Sequence, residues 1–151
     1  MNQRAGAEHE RLDVLIGRWK TDGSTRDMPG APAVKIDAVD TYEWLPGGFA
    51  LLHSFDAKMC DDKVEGAEII GYDPDRGTYV TQYFGNDEAT AYEAELTQEG
   101  DGLTWRMRSK TTRFTGVFDE DGKVITGHWE LLQDGRDWQP WMDITLTKQG
   151  N

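Results

Sequence analysis

From Gly17 onward, apolar and polar positions alternate in short runs. Each run is rich in Val, Ile, Thr, Tyr, Phe and Trp and is cut off by a turn signal. The signals are Pro29-Gly30, Pro46-Gly47-Gly48, Asp73-Pro74-Asp75-Arg76-Gly77, Glu99-Gly100-Asp101-Gly102, Asp121-Gly122 and Asp134-Gly135. The runs predict about ten strands, at roughly 18–25, 34–44, 49–56, 66–73, 78–84, 88–97, 103–109, 112–119, 123–132 and 140–148. Ahead of them, roughly residues 7–16 carry Leu12, Leu15 and Ile16 on one side and Glu8, Glu10 and Arg11 on the other. That spacing predicts a short amphipathic helix ended by Gly17. The fold class expected is all-β: an antiparallel up-and-down barrel of about ten strands behind a short N-terminal helix, since closure removes exposed strand edges.

Pairing successive strands tests that expectation, because one register must bring apolar faces together. Placing Trp44 opposite Phe49 sets Tyr42 on Leu51, Asp40 on His53 and Ala38 on Phe55, with Lys35, Asp37, Thr41 and Glu43 turned to water. Placing Leu96 opposite Leu103 sets Ala94 on Trp105, Tyr92 on Met107 and Glu93 on Arg106. Further on, Met107 meets Phe114, Trp105 meets Gly116, Phe114 meets Trp129, and Trp129 meets Met142. One inward face runs through all of these hairpins. The strand pair 66–84 resists the test, because Ile69 and Ile70 point to opposite faces.

Composition then narrows the class. A chain of 151 residues is expected to form a single domain, residues 1–151. Sixteen Lys and Arg against 28 Asp and Glu give a net charge of −12, which opposes binding to nucleic acid or an anionic membrane. No apolar run approaches the ~20 residues of a membrane-spanning helix, and the first residues lack the apolar stretch of a secretory signal. A lone cysteine, Cys60, forbids an internal disulfide and any cysteine cage for a metal. A soluble, cytoplasmic protein is the expectation.

The common catalytic and phosphate-binding motifs are absent, and His9, His53 and His128 lie in separate elements with no metal-ligand spacing. The informative constellation is Asp40 with His53, two polar groups on an otherwise apolar face. A buried carboxylate is costly unless paired, and a paired carboxylate fixes the imidazole and favours its charged form. The pair reads either as a satisfied polar element of the barrel wall or as the polar anchor of an interior site. His128 shares the outward face with Thr126 and Glu130. Tyr42, Tyr92, Trp105, Phe114 and Trp129 point inward and fit a packed core or an aromatic-lined cavity. Gly116 and Gly127, neighbours across two strands, either let rings lie flat or open room for a ligand.

Gly17-Arg18-Trp19, after a helix and opening the first strand, resembles the G-x-W signature of the calycin superfamily of lipocalins, fatty-acid-binding proteins and nitrobindins. The longer series also runs through Leu12-Asp13-Val14-Leu15-Ile16, Tyr42-Glu43-Trp44-Leu45-Pro46-Gly47-Gly48-Phe49 and Ile70-Gly71-Tyr72-Asp73-Pro74. It is similar to an uncharacterised bacterial family of calycin-like barrels. The resemblance implies a barrel closed at one end, Trp19 packed there, and a small apolar ligand. Nitrobindin-like barrels hold haem through a histidine near the C-terminus, whereas residues 140–151 contain none, so haem is disfavoured and no cofactor or metal is expected.

The function expected is binding of a small hydrophobic or aromatic molecule inside the barrel, with Asp40, Tyr42, His53, Tyr92, Trp105, Phe114 and Trp129 as ligand-binding residues. The alternative is an isomerase, hydratase or hydrolase in which Asp40 orients His53 as general acid or base. It requires His53 to reach the open cavity rather than the wall. A third reading is an interaction module, with Trp138 and Trp141 forming an outer patch through which the chain dimerises.

Overall fold

The turn-punctuated runs become strands of one closed sheet. The computed structural model describes residues 6–86, 88–100 and 102–150, so Asp101 of the fourth turn and the opening residues of the chain lie outside it. A helical segment comes first, one α-helical turn at Ala7–Glu10 (α1) running into a 3₁₀ stretch at Arg11–Leu15. The continuous helix expected over residues 7–16 is therefore shorter and tighter, as suits a segment that buries only Leu12 and Leu15. Ten strands follow: β1 (Gly17–Thr25), β2 (Lys35–Trp44), β3 (Ala50–Met59), β4 (Asp62–Asp73) and β5 (Thr78–Phe84). The second half comprises β6 (Ala89–Glu99), β7 (Gly102–Arg108), β8 (Thr112–Phe118), β9 (Val124–Leu132) and β10 (Trp138–Gln149). Each pairs antiparallel with its sequence neighbour and β1 closes on β10, so no edge strand remains.

Inward positions follow the two-residue alternation. On β2 the buried residues are Ile36, Ala38, Asp40 and Tyr42, and on β4 they are Glu68 and Ile70. Ile70 is fully buried while Ile69 is 38% exposed, which settles the strand that the pattern left open. Two hairpin registers differ from the expected ones by two residues. In β2–β3, Trp44 pairs with Leu51, Tyr42 with His53, Asp40 with Phe55 and Ala38 with Ala57. The N–H of Leu45 donates to the carbonyl of Ala50, and Gly47 and Gly48 take positive φ between them (96° and 72°). The loop thus spans 46–49 and leaves Phe49 exposed rather than facing Trp44. In β6–β7, Glu99 pairs with Gly102, which sets Leu96 on Trp105, Ala94 on Met107, Glu93 on Arg108 and Glu95 on Arg106. A shift of two preserves the face of every side chain, so the inward set survives both corrections. The expected registers of β7–β8, β8–β9 and β9–β10 stand at Met107–Phe114, Trp105–Gly116, Phe114–Trp129 and Trp129–Met142.

The helical segment closes one end. Leu12, Leu15 and Trp19 are at most 1% exposed, and the Trp19 indole N–H donates to the Leu15 carbonyl at 2.9 Å. Three more polar contacts fasten the segment. The Tyr79 hydroxyl donates to the Glu8 carbonyl (2.6 Å), the Trp44 indole to Asp13 (2.8 Å), and the Arg11 guanidinium to the Leu96 carbonyl. Gly17, at φ 134°, makes the corner from this plug into β1. No described helix is long and apolar enough to cross a membrane.

Candidate functional site

Midway down the barrel, β1 to β5 contribute one continuous hydrogen-bonded wall. The ring of His53 on β3 donates from Nε2 to Asp40 Oδ1 on β2 at 2.7 Å and from Nδ1 to Glu68 Oε1 on β4 at 3.0 Å. Thr21 on β1 donates to the second Asp40 oxygen, and Thr81 on β5 to the second Glu68 oxygen at 2.8 Å. All four carboxylate oxygens thus have a donor, and both ring nitrogens are engaged. Tyr42 lies flat on the imidazole, its ring centre 4.0 Å away at an interplanar angle of 7°.

The arrangement sets the charge of His53. Burial alone would push its pKa down, but hydrogen bonds to Asp40 and Glu68 and the attraction of both carboxylates outweigh it and raise the pKa to about 9. At neutral pH the group is an imidazolium between two carboxylates, both nearly buried, with side-chain exposures of 12% for Asp40 and 5% for Glu68. The phenol of Tyr42 is pushed well above its ordinary value by burial and by the neighbouring Asp40 and Glu68, so it stays protonated.

The expected pairing of Asp40 with His53 is therefore present, made diagonally across the β2–β3 ladder rather than directly opposite. Glu68, Thr21 and Thr81 were not foreseen. Glu68 shares its face with Ile70 and Tyr72 on a strand whose apolar pattern favoured neither side, so its inward placement had a signal only once Ile70 was chosen over Ile69. Thr21 shares its parity with Trp19, and Thr81 with Tyr79, so alternation turns both inward, but nothing local says that either would meet a carboxylate.

Across the barrel the wall is aromatic. Trp129 packs on Phe114 at 4.9 Å between ring centres and edge-on to Tyr92 at 6.0 Å. Gly116 and Gly127 serve packing: a Cβ at either would lie within 3 Å of the Phe114 ring, which occupies the space they leave. Trp105 sits deeper, 3% exposed and 5.7 Å from Tyr79, within the core below the network. Of the other expected ligand-binding residues, Asp40 and His53 lie midway, Tyr42 lies on the plug side of Asp40, opposite Gly17, and Tyr92, Phe114 and Trp129 stand on the far wall.

The final strands correct a further expectation. A bulge between Pro140 and Met142 turns Trp141 edge-on to Trp129 (6.3 Å), while Trp138 stays outside beneath the Arg113 guanidinium (4.3 Å). The two rings form no shared outer patch. His128 is exposed as expected, its Nδ1 2.6 Å from Asp143. Among the described residues no group of three or more His, Cys, Asp or Glu is arranged to hold a metal ion.

A groove of about 660 Å³ lies on the outer face of β4 to β6, lined by outward groups such as Ile69, Val80, Gln82 and Ala91. It is not where the polar chemistry lies. Inside, Phe55, Tyr83, Tyr92, Trp129, Met142 and Ile144 keep partial exposure although they face inward. The end of the barrel away from the plug is thus reachable by solvent.

A family model described as "Protein of unknown function (DUF1579)" matches residues 4–148. The sequence has no match among the curated proteins. Among solved structures, the fold is similar to Rv2717c from M. tuberculosis, with a TM-score of 0.75 and 13% identity, covering 97% of this chain and 99% of that one. It is also similar to the S-type phycobiliprotein lyase CPES from Guillardia theta, with a TM-score of 0.59 and 8% identity, covering 97% and 94% of the two chains.

Proposed function

We propose, for a chain that belongs to the DUF1579 family of unknown function, that the barrel binds a small, largely apolar or aromatic molecule in its open half. The observation that carries this reading is the partial exposure of inward aromatic side chains above a buried, fully hydrogen-bonded polar wall. Tyr92, Phe114 and Trp129 would hold the apolar body, and Tyr42 with the Asp40–His53–Glu68 network would meet its polar group. The likeness to a phycobiliprotein lyase fits a barrel put to ligand handling, at the level of fold alone. Acid–base use of His53 is not favoured, because both ring nitrogens are held by carboxylates and neither is free for a substrate. The same engagement leaves His53 no nitrogen for a haem iron, and His128 faces outward. The single exposed Cys60 thiol fits a reducing, cytoplasmic setting. The net charge of −12 opposes nucleic acid and anionic membranes as partners.

Native mass spectrometry of the protein purified from its own source tests the reading. A co-purified small molecule is expected, with Trp129 indole and His53 ring resonances that move when it is removed. No such molecule, together with no saturable change at those resonances for any member of an apolar compound library, would sink it.

A further inference from the structure

The interior is not only polar on one side; it is electrically one-sided. Asp40 and Glu68 are carboxylates and His53 carries a single positive charge between them, so the network holds a net charge of −1. Among the described strands, Arg18, Lys20, Lys35, Lys58, Lys63, Arg106, Arg108 and Arg113 all stand in the outward phase. Lys148 alone shares the inward phase, and it lies over the Trp19 ring at the plugged end. No strand cation therefore faces the network from the open half; the cations at that end, Arg26, Lys110 and Arg136, stand in exposed rim loops, Arg26 paired with Asp143.

A second observation points the same way. The hydroxyl of Tyr42 has no hydrogen-bond partner among the described residues, although the side chain is only 9% exposed and stands on the inward face against His53. No sealed side-chain polar atom among the described residues lacks a partner, so this hydroxyl touches solvent, whereas the polar groups of Thr21, Asp40, Glu68 and Thr81 are all satisfied within the wall. A phenol kept protonated beside an anionic network offers its oxygen to an N–H donor and can itself donate to a neutral acceptor. Trp129, Tyr92 and Phe114 stand on the inward side of β9, β6 and β8, on another part of the ring of strands.

We infer that the ligand is a hydrophobic amine or a protonated nitrogen heterocycle, its cationic N–H group against Tyr42 and the Asp40–His53–Glu68 wall and its apolar body on the aromatic wall. This rests on the ligand-binding reading above and deepens it. In a site of low effective dielectric a cation is attracted to the unbalanced charge and to the aromatic faces. A ligand ending in carboxylate or phosphate would instead place another anion beside two buried ones, at a desolvation cost that no strand cation facing the open half offsets. The interior thus selects against fatty acids, the ligand class that a barrel of this shape first suggests.

Three probes of one shape decide it: 2-naphthylmethylamine, 2-naphthalenemethanol and 2-naphthoate, titrated at neutral pH while the His53 and Trp129 ring resonances are followed. The amine is expected to bind at least tenfold more tightly than the alcohol, and the naphthoate at least tenfold more weakly. Glu68→Gln, which neutralises the network, should bring the amine and alcohol within about threefold of each other. Should that variant not fold, the three-way order in the native protein still decides between the ligand classes. Equal affinities, or tightest binding of naphthoate, would overturn the cationic class while leaving ligand binding intact. If none of the three moves the interior resonances, both readings fall together.

Discussion

The two ends of the barrel are made from the same alternation of side chains but to opposite effect. At the plugged end Leu12, Leu15, Trp19, Leu51 and Ile70 are essentially inaccessible, and the segment at residues 7–15 is fastened over them by indole, phenol and guanidinium donors. At the open end Phe55, Tyr83, Tyr92 and Trp129 occupy equivalent inward positions yet retain exposure. The difference is not hydrophobicity, since both sets are large and apolar. It is whether another element covers them. A ten-stranded barrel is wide, and side chains alone fill it only where a plug supplies the missing volume. The polar network lies between the two regimes, where burial is deep enough to strengthen its hydrogen bonds.

The largest expected effect separates the two ends directly. Leu51→Ala, in the closed half, should destabilise by about 2–5 kcal/mol through loss of buried surface and the cavity left behind. Phe55→Ala, in the open half, should cost about half as much or less, because water already reaches the site. Denaturant midpoints measured side by side check this. Equal losses would show that both halves are packed alike and would abolish the contrast.

A pH series probes the layer between. His53 is raised from an unfolded value of about 6.5 to about 9, so its contribution is complete below 6.5 and is lost as pH climbs through 9. Stability should fall by about 3 kcal/mol over that window, since each pH unit separating the two values is worth about 1.36 kcal/mol. The His53 ring should still be an imidazolium at pH 7.5 by NMR. A ring that deprotonates near 6.5 would mean the carboxylates do not clasp it as described.

Asp40→Asn should cost about 1–3 kcal/mol and lower the His53 pKa, because one of the two clasping charges is removed. The matching change on the outer face, Asp37→Asn, removes only an exposed partner of Lys20 and should leave both stability and the His53 titration unchanged. Equal responses from the two variants would place Asp40 and Asp37 on the same side of the wall.

How much of this was legible in the sequence depends on which physical rule was being read. Facing was legible, because side chains alternate with a period of two regardless of what the strand pairs with; Asp40, Tyr42, His53, Phe114 and Trp129 all point where their parity sends them. Register was legible at β7–β8, β8–β9 and β9–β10 but not at β2–β3 or β6–β7, because it depends on turn conformation. Gly47 and Gly48 in the left-handed region lengthen one loop and move His53 from opposite Asp40 to opposite Tyr42. A slip of two left the Asp40–His53 contact within reach along the diagonal, which is why an inexact register still found the pair.

The chain by itself determined an acidic all-β barrel with a short helical start, an inward set of aromatics, and a histidine that needed a carboxylate. Local chemistry suffices for these: propensity, alternation, turn residues and the cost of burying charge act over a few positions at a time. Only the tertiary structure decided that His53 would have two carboxylates rather than one. Glu68 is fifteen positions beyond His53 and reaches it only because β4 lies beside β3 with Ile70 turned inward. Likewise, only the closed sheet sets Trp129 and Phe114 across from that network, leaves Tyr42 without a partner among the described residues, and lets one end be plugged while the other stays open. Those facts depend on distances between strands far apart in the chain, and no local pattern carries them.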